Sequence, residues 1–505
     1  MPPVDPAVVE THISLVVFAG DRAYKAKKPV RFGFLDFSTL ALRQEACARE
    51  VELNRRIAPD VYLGVAELHG PGADEVEPVV VMRRMPAARR LATLVADRSQ
   101  EVPDALRSVA RTLVDFHARA ERSATIDVLG TAEAFGRRWR TNRGELDRFV
   151  GPVLDPGDVT EADALVERFL AGRAALFDRR VLDGDVCDGH GDLQAADVFC
   201  LDDGPRILDT IEFDDELRYG DVTADVAFLA MDLERLGDPE AAAVFVAAYE
   251  EHAGRRLPAP LLHVHIAHRA QIRAKVACLL AEQEGLGTPA GEVAAGQARA
   301  LFGLALDHLR RARVRLVLVG GLPGTGKSNL ARGLGERFGW VVLRSDVVRK
   351  QQAGLDPTTR ASTGMDDGIY AAGPTEATYD ELLSEAGRLL AVGQSVVLDA
   401  SWTATRHRTA ARALAAAGDA DVVELRCTVD AAVAAARIGR RAAKGTDASD
   451  ADEAVAAALA MRADPWPEAV EVPTAAPKGE VLATVADRLV GRGPQGDGGF
   501  GRPSH

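Results

Sequence analysis

An alternation of apolar and polar positions near the start of the chain predicts a β-hairpin. Residues 12–18 and 22–27 read as its two strands, and Gly20 lies in the turn between them. Since successive side chains of a strand point to opposite faces, Lys25 and Lys27 fall on the same face. Two lysines on an edge strand are usually solvated, so the pattern alone does not indicate a binding site.

The apolar pattern then changes to a helical period. Ser38 can cap a helix that extends to about Ile57. Residues 61–65 and 78–82 return to strand character, and residues 87–180 are again helical. The first part of the chain therefore predicts a small sheet with one helix, followed by a helical lobe.

Short apolar runs alternate with helical segments in the last third of the chain. Residues 314–319 read as a buried strand, and an amphipathic segment occupies residues 329–338. Three more strands are predicted at residues 340–343, 395–399 and 422–427. Strands that alternate with helices favour a parallel α/β sheet.

The length of 505 residues suits two or three domains. A helix that ends near residue 311 runs almost directly into the strand at residues 314–319, so we place the domain boundary there. The sequence thus predicts a first domain over residues 1–311 and a second over residues 312–492. The Gly- and Pro-rich residues 493–505 are expected to form a disordered tail.

Composition narrows the class of protein. The formal net charge of −14 argues against a nucleic-acid-binding surface. Five scattered cysteines without metal-binding spacing are typical of reduced, buried thiols in a cytoplasmic protein. The N-terminus lacks a signal-peptide pattern, and no apolar run reaches the ~18 residues of a membrane span. We therefore expect a cytoplasmic protein without a membrane partner; the sequence leaves its oligomeric state open.

A phosphate-binding motif follows the strand at residues 314–319. Residues 321–328 fit G-x-x-x-x-G-K-[ST], between a buried strand and an amphipathic helix, as this loop requires. Backbone amides and the positive end of the helix can hold phosphates there. Lys327 is expected to reach the β- and γ-phosphates, and Ser328 to bind Mg²⁺. The nucleotide-binding residues predicted here are Gly321, Gly324, Thr325, Gly326, Lys327 and Ser328.

A second stretch with chemical character, residues 187–200, contains His-Gly-Asp-Leu at positions 190–193. A turn and an acidic strand end follow at residues 202–214. Together with the lysine strand and the helix after it, this pattern resembles the aminoglycoside phosphotransferase and choline-kinase-like family over roughly residues 10–300. That resemblance implies a bilobal protein-kinase fold.

The resemblance also implies roles for particular residues. Asp192 corresponds to the catalytic aspartate, Lys25 to the phosphate-binding lysine and Glu50 to its helix partner. Asp197 corresponds to a metal ligand that is usually Asn, and Gln194 stands where a second His is usual. The second acidic metal ligand of the family corresponds to either Asp209 or Glu212, and the spacing along the sequence slightly favours Glu212. Asp225 is expected to hold the catalytic loop in place.

The phosphate-loop half resembles small-molecule and nucleic-acid kinases such as gluconate kinase, chloramphenicol phosphotransferase, the zeta toxins and polynucleotide kinase. This resemblance makes Asp346 the candidate base and Arg349 a clamp for substrate or phosphate. Asp399, at a strand end, is the candidate Mg²⁺ ligand. Arginines at positions 437, 440 and 441 are lid candidates, with a solvated basic face as the equal alternative; of these, Arg437 and Arg441 are taken as nucleotide-binding. Residues 443–453 read as a mobile lid loop.

These patterns predict an α/β and α+β multidomain protein: a protein-kinase-like bilobal domain followed by a P-loop NTPase parallel-sheet domain. The expected function is an ATP- and Mg²⁺-dependent kinase with two nucleotide sites, acting on a hydroxyl of a small molecule such as a sugar or aminoglycoside-like compound. The first family implies a cationic acceptor. Two alternatives stay open: an ATP-dependent regulatory or toxin-like module with one degenerate site, and a nucleic-acid 5′-hydroxyl kinase in the second half.

Overall fold

The structure is a computed structural model, and it describes residues 7–11, 13–32, 35–70, 76–356, 359, 368–444 and 451–489. The chain divides into two compact units. The first consists of Met1–Val166 and Phe177–Ala312, and the second of Glu167–Leu176 and Arg313–His505. The predicted tail at residues 493–505 lies outside the described residues, as does most of the predicted lid loop.

The first unit opens with a sheet and one helix. Its elements are β1 (Ala7–Glu10), β2 (Ser14–Ala19), β3 (Arg22–Lys27), β4 (Arg31–Phe32), β5 (Leu35–Asp36), α1 (Leu40–Asn54), β6 (Tyr62–His69) and β7 (Val76–Arg83). Five strands form an antiparallel sheet in the order β1-β2-β3-β7-β6. The predicted hairpin is present as β2 and β3, whereas β1 was not predicted. The cap of α1 is Thr39, whose hydroxyl accepts from the Leu42 amide, so the prediction of Ser38 was wrong by one position.

A helical lobe follows the sheet. It begins with α2 (Leu91–Ala96), α3 (Val102–Arg119), α4 (Ala124–Asp127), α5 (Ala132–Leu146), α6 (Pro156–Gly172) and α7 (Ala174–Leu182). Trp139 and Phe149 are almost fully buried in it. Burial of such large aromatic side chains is a main source of stability for a lobe of this kind.

Four short strands interrupt the lobe where the His-Gly-Asp stretch occurs. They are β8 (Val186–Asp188), β9 (Val198–Leu201), β10 (Gly204–Ile207) and β11 (Tyr219–Asp221). β9 and β10 form an antiparallel hairpin, and β11 pairs with β8. The helices α8 (Thr223–Arg235), α9 (Pro239–Ala253), α10 (Ala259–Glu284) and α11 (Pro289–Arg311) complete the unit. The hairpin places Asp192 and Asp197 before it, and Asp209 and Glu212 after it.

The second unit is built on a parallel sheet. Its elements are β12 (Arg315–Gly320), α12 (Lys327–Phe338), β13 (Val341–Arg344), α13 (Ser345–Gln352), α14 (Ala372–Ala391), β14 (Val396–Asp399), α15 (Thr405–Ala417), β15 (Asp421–Thr428), α16 (Ala431–Lys444), α17 (Glu453–Arg462), β16 (Val470–Pro473) and α18 (Lys478–Leu489). The strand order is β13-β14-β12-β15-β16, and all the pairings are parallel. Helices cover both faces, which explains why the strands read as continuous apolar runs.

Alternate residues of β12 serve separate cores on the two faces of this sheet. Leu316 and Leu318 pack in one core with Trp402, whereas Val317 and Val319 pack in the other with Leu330. This two-sided burial fixes where the carboxyl ends of the strands lie, and the phosphate-binding loop begins directly after β12.

The sequence missed the fifth strand, β16. The sequence pattern indicated no strand after residues 422–427, yet Val470–Pro473 pairs with β15 at the edge of the sheet. A four-residue strand that ends in proline has too short a pattern to be distinguished from a loop, and proline is tolerated at a sheet edge. Over the described ranges, no helix has the length and apolar character needed to cross a bilayer.

Candidate active sites

Two lysines and three carboxylates meet where β3, α1 and the segment after β10 come together. Lys25 Nζ lies 2.9 Å from Glu50 Oε1 and 2.5 Å from Asp209 Oδ1. Lys27 Nζ lies 2.5 Å from Glu50 Oε2 and also pairs with Glu212. Both lysine side chains are largely or fully buried, so the solvated-lysine alternative is wrong. We call these five side chains the lysine–carboxylate cluster.

The cluster holds its members in their charged forms. Burial alone would lower the pKa of Lys25, but the carboxylates of Asp209 and Glu50 raise it well above its ordinary value. Burial likewise opposes ionisation of Glu50 and Asp209, yet Lys25 keeps the pKa of both carboxyl groups below the ordinary range. Glu212 differs, because burial raises the pKa of its carboxyl despite Lys27.

The loop that carries Asp192 is held by Asp225, the acidic residue in the first turn of α8. Asp225 Oδ2 accepts from the His190 amide at 2.7 Å, and Oδ1 accepts from the Gly191 amide at 2.9 Å. His117 Nε2 donates to the same carboxylate at 3.1 Å and is fixed in turn by Tyr249. The predicted positioning role of Asp225 fits these contacts, which satisfy two buried donors at once.

Gly191 has a φ of 88°, and a Cβ there would lie 3.0 Å from the Leu217 carbonyl oxygen. A side chain is therefore excluded both by backbone conformation and by space. His190 is fully buried: its Nδ1 accepts from the Asp192 amide, and its Nε2 donates to the Leu208 carbonyl. Burial lowers the pKa of His190, so it acts as a neutral structural link within the loop.

Three carboxylates lie close enough to influence one another. Burial raises the pKa of Asp197 well above its ordinary value, and repulsion from Asp209 and Asp192 raises it further. Burial also raises the pKa of Asp192, against the opposing charge of Arg273. Gln194 Nε2 donates to Asp192 Oδ2 at 3.0 Å, so this departure from the family pattern orients the predicted base.

The structure separates the two remaining metal-ligand candidates. Asp209 acts electrostatically on Asp192 and Asp197, whereas Glu212 faces Lys27. Asp209 has a φ of 69°, a left-handed conformation that asparagine and aspartate adopt more readily than most residues. Its amide donates to the Tyr62 hydroxyl at 3.1 Å. These contacts favour Asp209, although spacing along the sequence slightly favoured Glu212.

In the second unit, residues 321–328 form a tight loop between β12 and α12. Gly324 has a φ of 81°, and a Cβ there would lie 2.6 Å from the Ala434 carbonyl oxygen. The hydroxyl of Thr325 donates to the Leu322 carbonyl at 2.8 Å. Lys327 and Ser328 are the first residues of α12, so their amides have no acceptor within the helix. This geometry suits an anion.

Asp399 ends β14 beside this loop and is almost fully buried. Burial raises the pKa of its carboxyl, whereas Lys327 and the hydroxyl of Ser328 act to lower it. Arg344 Nε donates to Oδ2 at 3.1 Å, but Oδ1 is buried and has no hydrogen-bond partner within the described residues. A buried carboxylate oxygen without a partner is a suitable ligand for a cation.

The predicted base of the second unit, Asp346, lies in the first turn of α13. Arg349 Nη1 is 3.5 Å from Asp346 Oδ1, and the Arg349 guanidinium lies 4.8 Å from the centre of the Tyr370 ring. Asp346 also acts electrostatically on Asp399. Asp346 and Arg349 therefore lie beyond the carboxyl ends of the parallel strands, as do Lys327 and Ser328.

Arg437 is half-buried and hydrogen-bonded to the residues around the phosphate loop. Its guanidinium donates to the Thr474 carbonyl at 2.8 Å and to the Thr474 hydroxyl at 3.1 Å, and it approaches the Gly324 carbonyl at 3.5 Å. The hydroxyl of Thr474 donates in turn to the Thr325 carbonyl. Arg437 therefore lies against the phosphate loop. Arg440 is exposed, and the side chain of Arg441 lies outside the described part.

At either site, a metal ion would bind partly through the phosphates of a nucleotide. Among the described residues, no three His, Cys, Asp or Glu side chains come together to form a metal site by themselves. Mg²⁺ commonly binds through one or two carboxylates together with substrate phosphates, so Asp197 with Asp209, and Asp399 with Ser328, remain suitable for it. The histidines near residue 263 form no such site either; His263 contacts His308, which contacts Glu234.

Sequence reasoning missed some of the supporting residues. Lys27, Tyr62 and Asn54 all contact the candidate site, and Asn54 Oδ1 accepts from the Thr210 amide at 2.9 Å. Only Lys27 left a signal, since it lies on the same strand face as Lys25. The other two come from the end of α1 and the start of β6, which no motif connects to the site.

Two family models match separate parts of the chain. The model of the phosphotransferase enzyme family matches residues 22–261, and an AAA domain model matches residues 316–466. The protein Rv2004c of Mycobacterium tuberculosis (strain ATCC 25618 / H37Rv) is 44% identical over 471 residues, which cover 93% of each chain. The chain belongs to the same family as Rv2004c. With both domain matches in order, it is an ATP-dependent kinase of the phosphotransferase type.

Solved structures resemble parts of the chain. A choline/ethanolamine kinase family protein from Mesorhizobium loti is 14% identical and covers 61% of this chain and 92% of its own, with a TM-score of 0.37. A gluconokinase from Sinorhizobium meliloti 1021 is 17% identical and covers 35% of this chain and 91% of its own, with a TM-score of 0.26.

The contacts of Asp225 generate a pH-dependent prediction. Although burial alone would raise it, His117 and the loop amides hold the pKa of Asp225 below its ordinary value of 3.8. A carboxyl group with a depressed pKa stabilises the fold above its unfolded-state pKa, and this contribution is lost as the pH falls below that value. We expect Asp225→Asn to lose roughly 1–3 kcal/mol of protection in the catalytic loop at about pH 7, with a smaller further loss on acidification than the parent.

Hydrogen exchange of peptides from residues 186–197, measured at about pH 7 and at about pH 3, below the ordinary carboxyl value, tests this expectation. Asp104→Asn on α3 is the matched control, since Asp104 is exposed and pairs with Arg107 on the same helix. Equal protection of the loop in the parent and in Asp225→Asn at both pH values would contradict the assigned positioning role.

Proposed function

We propose that the protein has two ATP·Mg²⁺ sites, one in each unit, and that each transfers the γ-phosphoryl group of ATP to a hydroxyl of a small molecule. The observation that carries the proposal for the first unit is the position of Asp209. It contacts Lys25 at 2.5 Å and also acts on Asp192 and Asp197. One residue thereby links the phosphate-binding lysine to the predicted base and metal ligand.

In the first unit, Lys25 holds nucleotide phosphates while Glu50 keeps its ammonium group in place. Asp197 and Asp209 are the proposed Mg²⁺ ligands; the metal, when bound, neutralises charge on the phosphates. Asp192 accepts the proton of the acceptor hydroxyl, whose oxygen bonds to the γ-phosphorus as the bond to ADP breaks. Burial raises the pKa of Asp192 and so makes it a stronger base.

In the second unit, the amides of residues 321–328 and the ammonium of Lys327 hold the phosphates. Ser328 and the unpartnered Oδ1 of Asp399 are proposed to share Mg²⁺. Asp346 is the proposed base, and Arg349 positions either Asp346 or the acceptor. Arg437 holds the loop through Gly324 and Thr474, while Arg441 remains a candidate for contact with the nucleotide.

Two separable activities follow from two sites. Asp192→Asn should reduce phosphoryl transfer by the first unit at least about a hundredfold, because the acceptor hydroxyl loses its base. Lys327→Ala should reduce transfer by the second unit to a similar extent, because the phosphates lose their cation. Phosphorus NMR and mass-shift screens of ATP with pooled sugars, aminoglycosides and nucleosides measure the two activities.

Asp104→Asn and Lys478→Ala are the matched controls, since both residues are exposed in their respective units. Each control should keep both activities. Transfer that survives in a chain carrying both Asp192→Asn and Lys327→Ala would overturn the proposal.

The two metal-ligand candidates of the first unit can be distinguished directly. Asp209→Asn should raise the Mg²⁺ concentration needed for half-maximal transfer by about tenfold or more, because an amide is a weaker ligand than a carboxylate. Glu212→Gln removes a charge that faces Lys27, and it should change the Mg²⁺ requirement much less.

The measurement is a Mg²⁺ titration of phosphoryl transfer in the Lys327→Ala background, which isolates the first unit. Thermal unfolding of each variant shows whether the lysine–carboxylate cluster still supports the fold. A larger shift in Glu212→Gln than in Asp209→Asn would reverse the assignment.

A further inference from the structure

Three arginines of the first unit carry charge that no carboxylate pairs with in the described part of the chain: Arg269 and Arg273 act on the proposed base, and Arg138 is a neighbour of Arg269. Arg269 and Arg273 are four residues apart on α10, so both project from one side of that helix. Arg138 lies on α5. Within the described residues, none of the three has a carboxylate oxygen within the 4.0 Å of an ion pair. We call these three residues the arginine cluster.

Arg269 is fixed beside the catalytic loop. Its guanidinium lies 4.9 Å from the centre of the Phe228 ring on α8. Phe228 follows Asp225 by three residues, so Arg269 packs one helical turn from the carboxylate that holds the loop. The Nε atom of Arg269 is buried and has no hydrogen-bond partner in the described part of the chain.

Positive charge therefore collects on one side of Asp192. Arg273 and Arg269 both act to lower the pKa of the Asp192 carboxyl, against burial. Burial and the neighbouring Arg269 lower the pKa of Arg138 to about 10. The guanidinium of Arg138 donates only to the Leu129 and Tyr219 carbonyl oxygens among the described residues, which leaves its charge without a counterion.

Buried guanidinium groups of this kind destabilise the fold unless an anionic group binds to them. A desolvated guanidinium without an anionic partner destabilises the fold, since the charge has lost its water. The nearby acids form no ion pair with these arginines among the described residues. Asp225 is held by His117 and two amides, Glu216 is exposed, and Asp192, which acts electrostatically on Arg269, is the proposed base. An anion that enters from solvent would supply the missing negative charge.

We propose that the hydroxyl acceptor of the first unit carries an anionic group, a phosphate or a carboxylate, which the arginine cluster binds. This inference rests on the proposed phosphotransferase function of that unit. Guanidinium groups match both anions because they offer paired donors in one plane. The acceptor hydroxyl still gives its proton to Asp192, and its oxygen still takes the γ-phosphoryl group from ATP with release of ADP. The cationic acceptor implied by the family resemblance does not fit these three arginines.

Matched acceptor sets test the proposal in the full chain with Lys327→Ala, so that only the first unit transfers. Each set shares one carbon skeleton: a neutral sugar, its amino derivative, and its phosphate ester or uronic acid. Phosphorus NMR and mass shift should detect transfer to the anionic member. Arg273→Gln should raise KM for that member about tenfold or more while kcat changes little, and Arg273→Lys should recover part of the loss.

Arg111→Gln, at an exposed position on α3, is the control and should leave KM unchanged. Preferred transfer to the neutral or amino member would overturn the inference and leave the phosphotransferase function intact. If no member of a set accepts phosphate, the proposed function itself is contradicted. A direct measurement of anion binding then tests whether the arginine cluster holds an anion.

Equilibrium dialysis of radiolabelled sulfate measures that binding. Saturating AMP-PNP·Mg²⁺ first occupies the phosphate positions of both nucleotide sites. Sulfate should still bind, and Arg273→Gln should weaken it about tenfold or more, whereas Arg111→Gln should not. Sulfate binding that AMP-PNP abolishes would assign the arginines to the γ-phosphate of ATP, and binding that Arg273→Gln leaves unchanged would assign the anion to another surface; either result would overturn the proposal.

Discussion

The geometry of the first unit depends on the neutralisation of buried charge between Lys25, Lys27 and the carboxylates around them. Each lysine ammonium contacts two carboxylates, and Glu50 joins the two lysines through its separate oxygens. Burial of Lys27, Glu50 and Glu212 is unfavourable for each of them alone, so removal of one partner would leave an uncompensated charge. The cluster therefore ties the sheet, α1 and the segment after β10 into one arrangement, and it places Asp209 where it acts electrostatically on Asp192 and Asp197.

The second unit also holds a buried carboxylate beside its proposed nucleotide site, but on a parallel sheet. Parallel strands bring Asp399 and the start of the phosphate loop to one edge of the sheet, since Val319 and Asp399 are paired in register. Arg344 pairs with only one oxygen of Asp399, and the other oxygen remains buried without a partner among the described residues. In both units a carboxylate is held close to the lysine that we propose to bind phosphate, an arrangement that would suit ATP·Mg²⁺.

Much of the fold and of both candidate sites could be predicted from the sequence, because each motif reflects the geometry of a short segment. The loop at residues 321–328, the His-Gly-Asp stretch and the lysine strand each keep fixed spacing between a few residues. Contacts between distant elements leave no such record. The choice between Asp209 and Glu212 depends on the direction of the chain after β10, and the edge strand β16 depends on its pairing with β15. The arginine cluster joins α5 to α10, more than a hundred residues apart, and no pattern along the chain connects them.

We propose that one chain holds two complete nucleotide sites. Isothermal titration calorimetry with AMP-PNP·Mg²⁺ counts these sites, because the analogue binds without being consumed. Two molecules of AMP-PNP should bind per chain, falling to one in Lys327→Ala through loss of the second site. A single bound molecule per parent chain would contradict it and would favour a protein in which only one unit binds nucleotide.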